Sequence, residues 1–328
     1  MNHHAFRLPI SARVLAVFGL AIVVAGSPLV AQDVPTTDVY LVAIEPGEGE
    51  LPNLGEPRNL TDRQGYDNQP AFLPDGSGIL YTSMVPGPEE GTLQTDIVHL
   101  DLASGETRWV TRTPDTSEYS PTPIDGGKAL SVVRVEPDGK QRLWSFPLDG
   151  EGEPELLLPN VEPVGYHAWE GDDELVLFVL GEPHTLQRVK LGGEARVIAS
   201  NIGRALHRIP GERAAFSFVH KGEPTPAVEG EAGEEEADGA SQTWWIRSVD
   251  ATNDSLEPLI ETFPGREDLT WDPAGRAWTA DGSKLYRWCP ACGADWKLVA
   301  DLGDAGLTDI TRLAVSPDGK WLAVVSAR

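Results

Sequence analysis

A turn of Pro, Asp and Gly recurs along the chain and constrains its fold more than any other feature. It follows an extended segment as Pro74-Asp75-Gly76 and returns near the other end as Pro317-Asp318-Gly319. With four degenerate copies between them, the central residues of the six turns are Asp75, Asp125, Asp172, Gly211, Ala274 and Asp318. These positions are 39 to 63 residues apart, and an apolar segment follows each of them. Self-similarity of this length, in strand-rich units, predicts the blades of a propeller.

The sixth unit is incomplete, and its missing part stands at the opposite end of the sequence. After Pro317-Asp318-Gly319 only one strand-like segment, 321–325, precedes Arg328. Two further strand-like segments occur at 38–43 and 57–61. We therefore predict an all-β, six-bladed β-propeller closed by N-terminal strands, with its last blade formed from residues 38–61 and 312–328. Closure removes the exposed strand edges that an open array presents.

The first 31 residues differ from the rest in composition. Arg7 and Arg13 precede an apolar stretch at 14–25, and small residues lead up to Ala31. This order is typical of a secretory signal peptide, and the stretch is too short to span a bilayer. An uncleaved interfacial anchor is the alternative. We expect residues 32–328 to form the propeller, in the periplasm or secreted, without an integral membrane segment after cleavage.

Strong acidity narrows the range of partners. Loss of Arg7 and Arg13 leaves 24 of the 26 basic residues against 51 acidic ones, a net charge of about −27. Such a surface repels phosphate backbones, so nucleic acid is not an expected partner. The acidity either keeps an exported protein soluble or recognises a basic partner. A disordered acidic loop is expected at about 222–242, with a tether for cations or basic peptides as the alternative.

Several segments resemble the repeat of TolB-type, WD-repeat-like propellers. In that family a Leu-Thr pair ends one blade and a strand of the Ser-Pro-Asp-Gly kind starts the next. The matching segments are Leu60-Thr61, 69–76, 79–83 and 312–320. The resemblance implies a propeller over nearly all of the expected mature chain. TolB itself has an α/β domain before its propeller, whereas here only residues 32–37 separate the expected signal peptide from the first strand.

In such blades the turns between the second and third strands share one face with the connections between blades. We term this the loop face, and we term the opposite face, with tight turns such as Asp75-Gly76, the plain face. The longest insertions, 84–95 and 221–243, are predicted on the loop face, where recognition is expected. Connections between blades bring a set of candidate binding residues to the mouth of the channel: Tyr66, Asp67, Tyr119, Tyr166, His167, His207 and Asp268.

These candidates favour binding over catalysis. Tyrosines suit a protein-binding rim, although packing between blades is the alternative. His167 and His207 fall in adjacent blades at similar strand positions, which allows a metal-binding or general-base pair. The sequence contains no G-x-S-x-G motif and no phosphate-binding glycine loop, so no catalytic residue is assigned.

We therefore expect a monomeric, non-enzymatic binding module for a protein or peptide, without a cofactor. The alternative is a metal-dependent hydrolase of the lactonase kind. Its ion, such as Ca²⁺, would be held in the central channel by Asp67, Asn68 and Asp268.

Two cysteines, Cys289 and Cys292, lie between the strand-like segments 284–288 and 296–299. This hairpin position differs from the helix N-terminus that favours redox activity, and a zinc site needs two more ligands. A local disulfide is expected in an oxidising compartment. A redox role, a metal-binding role and free thiols remain as alternatives.

Overall fold

Six antiparallel sheets form the blades of the protein, in a computed structural model that describes residues 36–47, 49–211, 214–222 and 244–328. The predicted signal peptide lies outside these residues, as does nearly all of the predicted acidic loop. Within them, no helix is both long enough and apolar enough to cross a membrane.

The strands are short and follow one another along the chain. In order they are β1 (Thr37–Glu45), β2 (Asn53–Leu54), β3 (Arg58–Asn59), β4 (Asp67–Phe72), β5 (Gly78–Pro86), β6 (Leu93–Asp101), β7 (Thr107–Trp109), β8 (Ser117–Ile124), β9 (Ala129–Val135), β10 (Gln141–Pro147), β11 (Glu155–Leu156), β12 (Val164–Glu170), β13 (Glu174–Val179), β14 (Thr185–Lys190), β15 (Arg196–Ser200), β16 (Ile202–Arg208), β17 (Ala215–His220), β18 (Trp245–Asp250), β19 (Leu256–Glu261), β20 (Leu269–Trp271), β21 (Ala277–Asp281), β22 (Lys284–Trp288), β23 (Lys297–Asp301), β24 (Thr308–Val315) and β25 (Trp321–Ala327). Two single 3₁₀ turns, Asp125–Gly127 and Gly303–Ala305, accompany them.

Blades 1 to 5 each take four consecutive strands, beginning with β4, β8, β12, β16 and β20. Blade 6 begins with β24 and β25 and continues with β1, to which both β2 and β3 pair. The first strands of neighbouring blades contact one another all the way round, from β4 through β24 and back to β4. The protein is therefore a closed six-bladed ring.

The closing strand is β1, as predicted. It pairs antiparallel with β25 from Thr37 opposite Ala327 to Ala43 opposite Trp321. The fourth position of blade 6 is divided between the two short strands β2 and β3, whereas the sequence predicted one segment at 57–61. The all-β propeller and its closure by N-terminal strands are thus confirmed.

Apolar clusters fill the interfaces between blades, with one cluster of described residues at each. Strand β1 shows how alternation along a strand serves two interfaces at once. Val39 and Leu41 pack towards blade 1 with Ile79, while Val42 packs towards blade 5 with Trp278. Each blade is therefore stabilised by both of its neighbours.

The Pro-Asp-Gly turn has a simple local cause. The amide of Gly76 donates to the carbonyl of Leu73 at 2.9 Å, and the Asp75 carboxylate accepts the Ser77 amide at 2.9 Å. Gly76 has a φ of 73°, in the left-handed region where glycine is favoured. The turn repeats with Gly319, whose φ is 70°.

Two local features differ from simple strands and turns. Strands β5 and β6 continue pairing as far as Pro86 and Leu93, so most of the predicted insertion 84–95 is an extended hairpin. Residues 84–86 pair with residues 93–95, so only residues 87–92 of this insertion lie outside the strands.

Several first strands also carry bulges, and Gln69 and Ser120 there have φ values of 55° and 54°. Bulges re-aim side chains, and these two lie within three residues of the candidate binding residues Tyr66 and Tyr119.

Candidate functional site

Three tyrosines, two arginines and an aspartate line the loop-face end of the channel. They lie just before or near the beginnings of the first strands or, for Arg312, in the middle of one. Their shared feature is that each can reach another member across the channel or along its wall. We term this group the mouth cluster: Tyr66, Tyr119, Tyr166, Arg204, Asp268 and Arg312.

One hydrogen bond of the mouth cluster crosses the channel. Arg312 Nη2 donates to the Tyr166 hydroxyl at 2.7 Å, and the guanidinium carbon lies 5.3 Å from the centre of the Tyr166 ring. Arg312 belongs to blade 6 and Tyr166 to blade 3, which are opposite in a ring of six. The channel is therefore obstructed at this level by an arginine and a tyrosine.

Asp268 connects two arginines just before β20. Arg204 donates to its carboxylate through Nη2 at 2.6 Å and through Nε at 3.2 Å, and Arg312 Nη1 donates to it as well. Burial alone would raise the pKa of Asp268, but the charges of Arg312 and Arg204 outweigh it and hold that pKa below its usual range. Asp268 is therefore ionised at neutral pH and ties blades 4, 5 and 6 together.

A second carboxylate extends this network along the wall. Glu267 accepts the backbone amide of Arg204 at 3.0 Å, and Lys221 Nζ lies 3.2 Å from the same carboxylate oxygen. Gly203 permits the approach, because a Cβ there would lie 2.4 Å from that oxygen. Lys221 also lies 4.5 Å from the centre of the Trp244 ring. Arg204, Arg312 and Lys221 carry three positive charges here, and Glu267 and Asp268 carry two negative ones. Together they leave the wall with a local excess of one positive charge.

The tyrosine rings lie close enough to influence one another. Burial, together with the neighbouring Tyr166, raises the pKa of the Tyr66 phenol above its usual value, despite the opposing charge of Arg312. Tyr119 acts on Tyr66 in the same sense. Tyr66, Tyr119 and Tyr166 are all only partly exposed. They therefore offer neutral, amphipathic rings around the arginines.

The two predicted histidines do not form a pair. His167 is buried, and its Nε2 lies 2.7 Å from Ser131 Oγ in the adjacent blade. Burial lowers the pKa of His167 to about 3, and it lowers the pKa of His207 to about 4 against the opposing charge of Asp268. No hydrogen bond joins the two among the residues that the structure describes. His167 serves the interface between blades, whereas His207 lies beside the mouth cluster.

The three residues predicted to supply oxygen ligands to a metal ion each have a different hydrogen-bonding partner. Asp67 is buried and accepts Arg63 Nη2 at 2.7 Å, and Asn68 accepts the Gln69 amide at 2.8 Å. Asp268 is held by the two arginines described above. In the described part of the chain, no group of three His, Cys, Asp or Glu side chains is placed to hold a metal ion.

Sequence reasoning missed Arg204 and Arg312, which hold the mouth cluster together. A signal was available for Arg312, because aligning the turn repeats places it where blade 1 carries Gln69. Both residues have positive φ, as does Ser120 in blade 2. The sequence does not reveal, however, that a bulge would carry the arginine across the channel.

A buried acid lies directly behind the mouth, next to Tyr119. Glu118 has no exposed side-chain surface and accepts hydrogen bonds from Thr113 at 2.7 Å and from Thr116 at 2.9 Å. Arg134 Nε lies 3.2 Å from the same oxygen. Burial raises the pKa of Glu118 to about 7, more than these partners lower it.

We expect Glu118→Gln to change how stability depends on pH. The folded pKa of Glu118, about 7, exceeds the usual glutamate pKa of 4.5, so folding takes up a proton between these values and stability falls as pH rises through them. The shift corresponds to about 3 kcal/mol. The free energy of unfolding of E118Q, relative to wild type, should therefore rise from pH 4.5 to 7 and level off above. Parallel profiles would contradict this, and E155Q, at an exposed position, is the control.

No protein-family model matches the chain, and no curated protein matches it. Solved structures with the same fold include a TolB-like protein from Agrobacterium tumefaciens, with 15% identity and a TM-score of 0.63, over 90% of this chain and 99% of that one. TolB from Acinetobacter baumannii has 14% identity and a TM-score of 0.52, over 89% of this chain. This chain covers 64% of that TolB.

An oligogalacturonate lyase in complex with manganese is also similar, with 17% identity and a TM-score of 0.53, over 83% of this chain and 80% of the lyase. These likenesses confirm the propeller fold that the repeat predicted and the TolB type that the resemblance implied. Because the fold is common to TolB and to an enzyme, it does not decide between binding and catalysis.

Proposed function

We propose that the chain is an exported, non-enzymatic binding module that recognises a protein or peptide segment at the loop-face mouth of its channel. The observation that carries this proposal is the mouth cluster itself. Partly exposed tyrosines and partly buried, paired arginines are residue types enriched where binding energy concentrates in protein interfaces. The composition and the predicted signal peptide support the proposal that the protein is exported.

The mouth is suited to an extended or looped peptide rather than to a flat surface. Tyrosines contribute a large contact area at low entropic cost, and the paired arginines are already ordered, so little freedom is lost on binding. The excess positive charge of the wall, in a chain with a net charge of −25, favours a carboxylate-bearing segment there. The expected partner is therefore a protein segment containing both aromatic and acidic residues.

The rival, a metal-dependent hydrolase with its ion in the channel, fits these residues less well. The guanidinium of Arg312 lies across the channel beside Asp268, and its charge repels a divalent cation at that level. Metal analysis of the purified protein after exposure to calcium tests this point. A stoichiometric, tightly bound divalent ion would contradict the proposed module.

Selection from a displayed random-peptide library tests the proposed site. We expect selected peptides to bind the wild-type protein and to lose affinity by about tenfold or more in Y119A, because truncation of an interface tyrosine typically costs that much. The matched control is W321A, which removes an aromatic side chain that is 37% exposed at the plain-face end of β25. Thermal unfolding of each variant verifies that the ring is intact.

Peptides whose binding is unaffected by Y119A and by the conservative Y166F, yet weakened by W321A, would place the recognition surface on the plain face. That result would overturn the proposal.

A further inference from the structure

A second site lies on the plain face, in a pocket of about 250 Å³ between the outer parts of blades 5 and 6. Its walls come from the link between β1 and β2, from the turn before β21, and from the hairpin joining β22 to β23. The residues that matter for its chemistry are Glu50, Arg276, Arg287, Asp295 and Lys297. The pocket is remote from the mouth cluster, because turns of these kinds lie on the opposite face.

Arg287 is the unusual member of this pocket. It is only 6% exposed, yet no carboxylate in the described part of the chain forms an ion pair with it. Its one hydrogen bond there runs from Nη2 to the backbone carbonyl of Glu50. A guanidinium carries five N–H donors, so most of them lack a protein acceptor. Burying a charge in this way is costly unless a counter-ion compensates.

The neighbouring carboxylates are already engaged by other cations. Asp272 accepts Arg276 Nε at 2.7 Å and Trp278 Nε1 at 3.2 Å, and Glu50 pairs with Lys297. Burial, followed by the nearby charge of Arg276, lowers the pKa of Arg287 by more than the charges of Asp272 and Glu50 raise it. Among the described cations of this pocket, Arg287 is therefore the one that forms no ion pair of its own.

The pocket is held in shape around this charge. The guanidinium carbon of Arg287 lies 5.6 Å from the centre of the fully buried Trp278 ring, which fixes one side. On the other side Cys289 and Cys292 are joined by a disulfide, and Trp288 Nε1 donates to the Gly293 carbonyl at 2.9 Å. The exposed Asp295 lies at the rim and would oppose an anion only at that edge.

We propose that this pocket binds a small organic anion through Arg287, with a carboxylate, sulfate or phosphate head group on the guanidinium. Such groups match the planar donors of arginine in two-point contacts. The volume admits a small molecule but is below the usual range for larger ligands, which begins at about 300 Å³. The site is independent of the proposed peptide-binding function at the mouth.

Thermal unfolding and calorimetry of the disulfide-intact protein test the proposal. Sodium sulfate, phosphate, citrate and benzoate are titrated against sodium chloride at equal ionic strength, and their ranking identifies the head group. We expect at least one of them to raise the Tm in a saturable manner. Arg287→Met should lower the affinity for that anion by about tenfold or more, since it removes a charged hydrogen-bonding partner.

The same variant supplies a second readout. Met retains packing against Trp278 and removes a buried charge that forms no ion pair in the described part of the chain, so the anion-free Tm of R287M should not fall below that of the wild type. Arg287→Lys, which keeps a charge but not the planar donors, should bind the anion with reduced affinity. R196M, at an exposed arginine, is the control and should respond as the wild type does.

A rise in Tm that does not saturate, and is equal in wild type and R287M, would be a general salt effect and would overturn the proposal. The absence of any rise beyond that caused by chloride would overturn it as well.

Discussion

Removal of residues 38–61 is expected to abolish the cooperative unfolding transition of the ring, not merely to lower its Tm. The deletion takes away β1, whose Val39, Leu41 and Val42 are at most 2% exposed and pack into two different interfaces. Burial of each such side chain contributes about 1.5–3 kcal/mol. Their sum alone is comparable with a typical total stability of roughly 5–15 kcal/mol. Differential scanning calorimetry measures the loss.

A synthetic peptide of residues 36–61 provides the matched control. Added to the truncated chain, it should restore the transition by pairing with the exposed edge of β25, as strand addition does in other sheets. A peptide with Val39→Asp and Val42→Asp should not. If the truncated chain alone melted at the same temperature as the full chain, β1 would be dispensable and the closure would have no energetic role.

Replacing Asp268 with Ala is expected to cost about 3–5 kcal/mol of unfolding free energy, the usual penalty for breaking a buried ion pair. The reason is that Arg204 and Arg312 both donate to this carboxylate and would be left with less compensation in a poorly solvated channel. Denaturant-induced unfolding at neutral pH measures the change.

The double variant D268A/R312M distinguishes an electrostatic cause from lost packing. Removing one of the two stranded arginines should recover part of the loss, which is a non-additive result expected only for coupled charges. D172A, at an exposed turn on the plain face, should change stability little. A loss in D268A no larger than that in D172A would show that the arginines do not depend on Asp268.

Much of the fold could be predicted, because the residue types that its repeated turns require are visible in the sequence. Gly76 and Gly319 occupy left-handed positions that few other residues tolerate, so the repeats remain visible despite divergence elsewhere. The incomplete sixth repeat then required partner strands from the N-terminal region. The extended hairpin of β5 and β6 was harder to foresee, because Pro86 interrupts an otherwise strand-like segment.

The site was predictable only in outline. The position of a residue before a first strand is enough to place Tyr66 or Asp268 near the channel. Side-chain direction depends on bulges that shift the register, and a shift of one residue reverses the face. This is why the His167 side chain lies against Ser131, whereas the Arg312 side chain extends across the channel.

The hydrogen bond between Arg312 and Tyr166 joins blades 6 and 3, which lie opposite one another, whereas the main strand contacts of the described residues join neighbouring blades. A ring held only by contacts between neighbours can tilt blade by blade, so its opening can change in diameter at little cost to any one contact. A bond between opposite blades opposes that motion and keeps the opening narrow. Under the proposed function, a bound peptide that took the Tyr166 hydroxyl as its own partner would remove this bond, and the ring would gain flexibility without a change in fold.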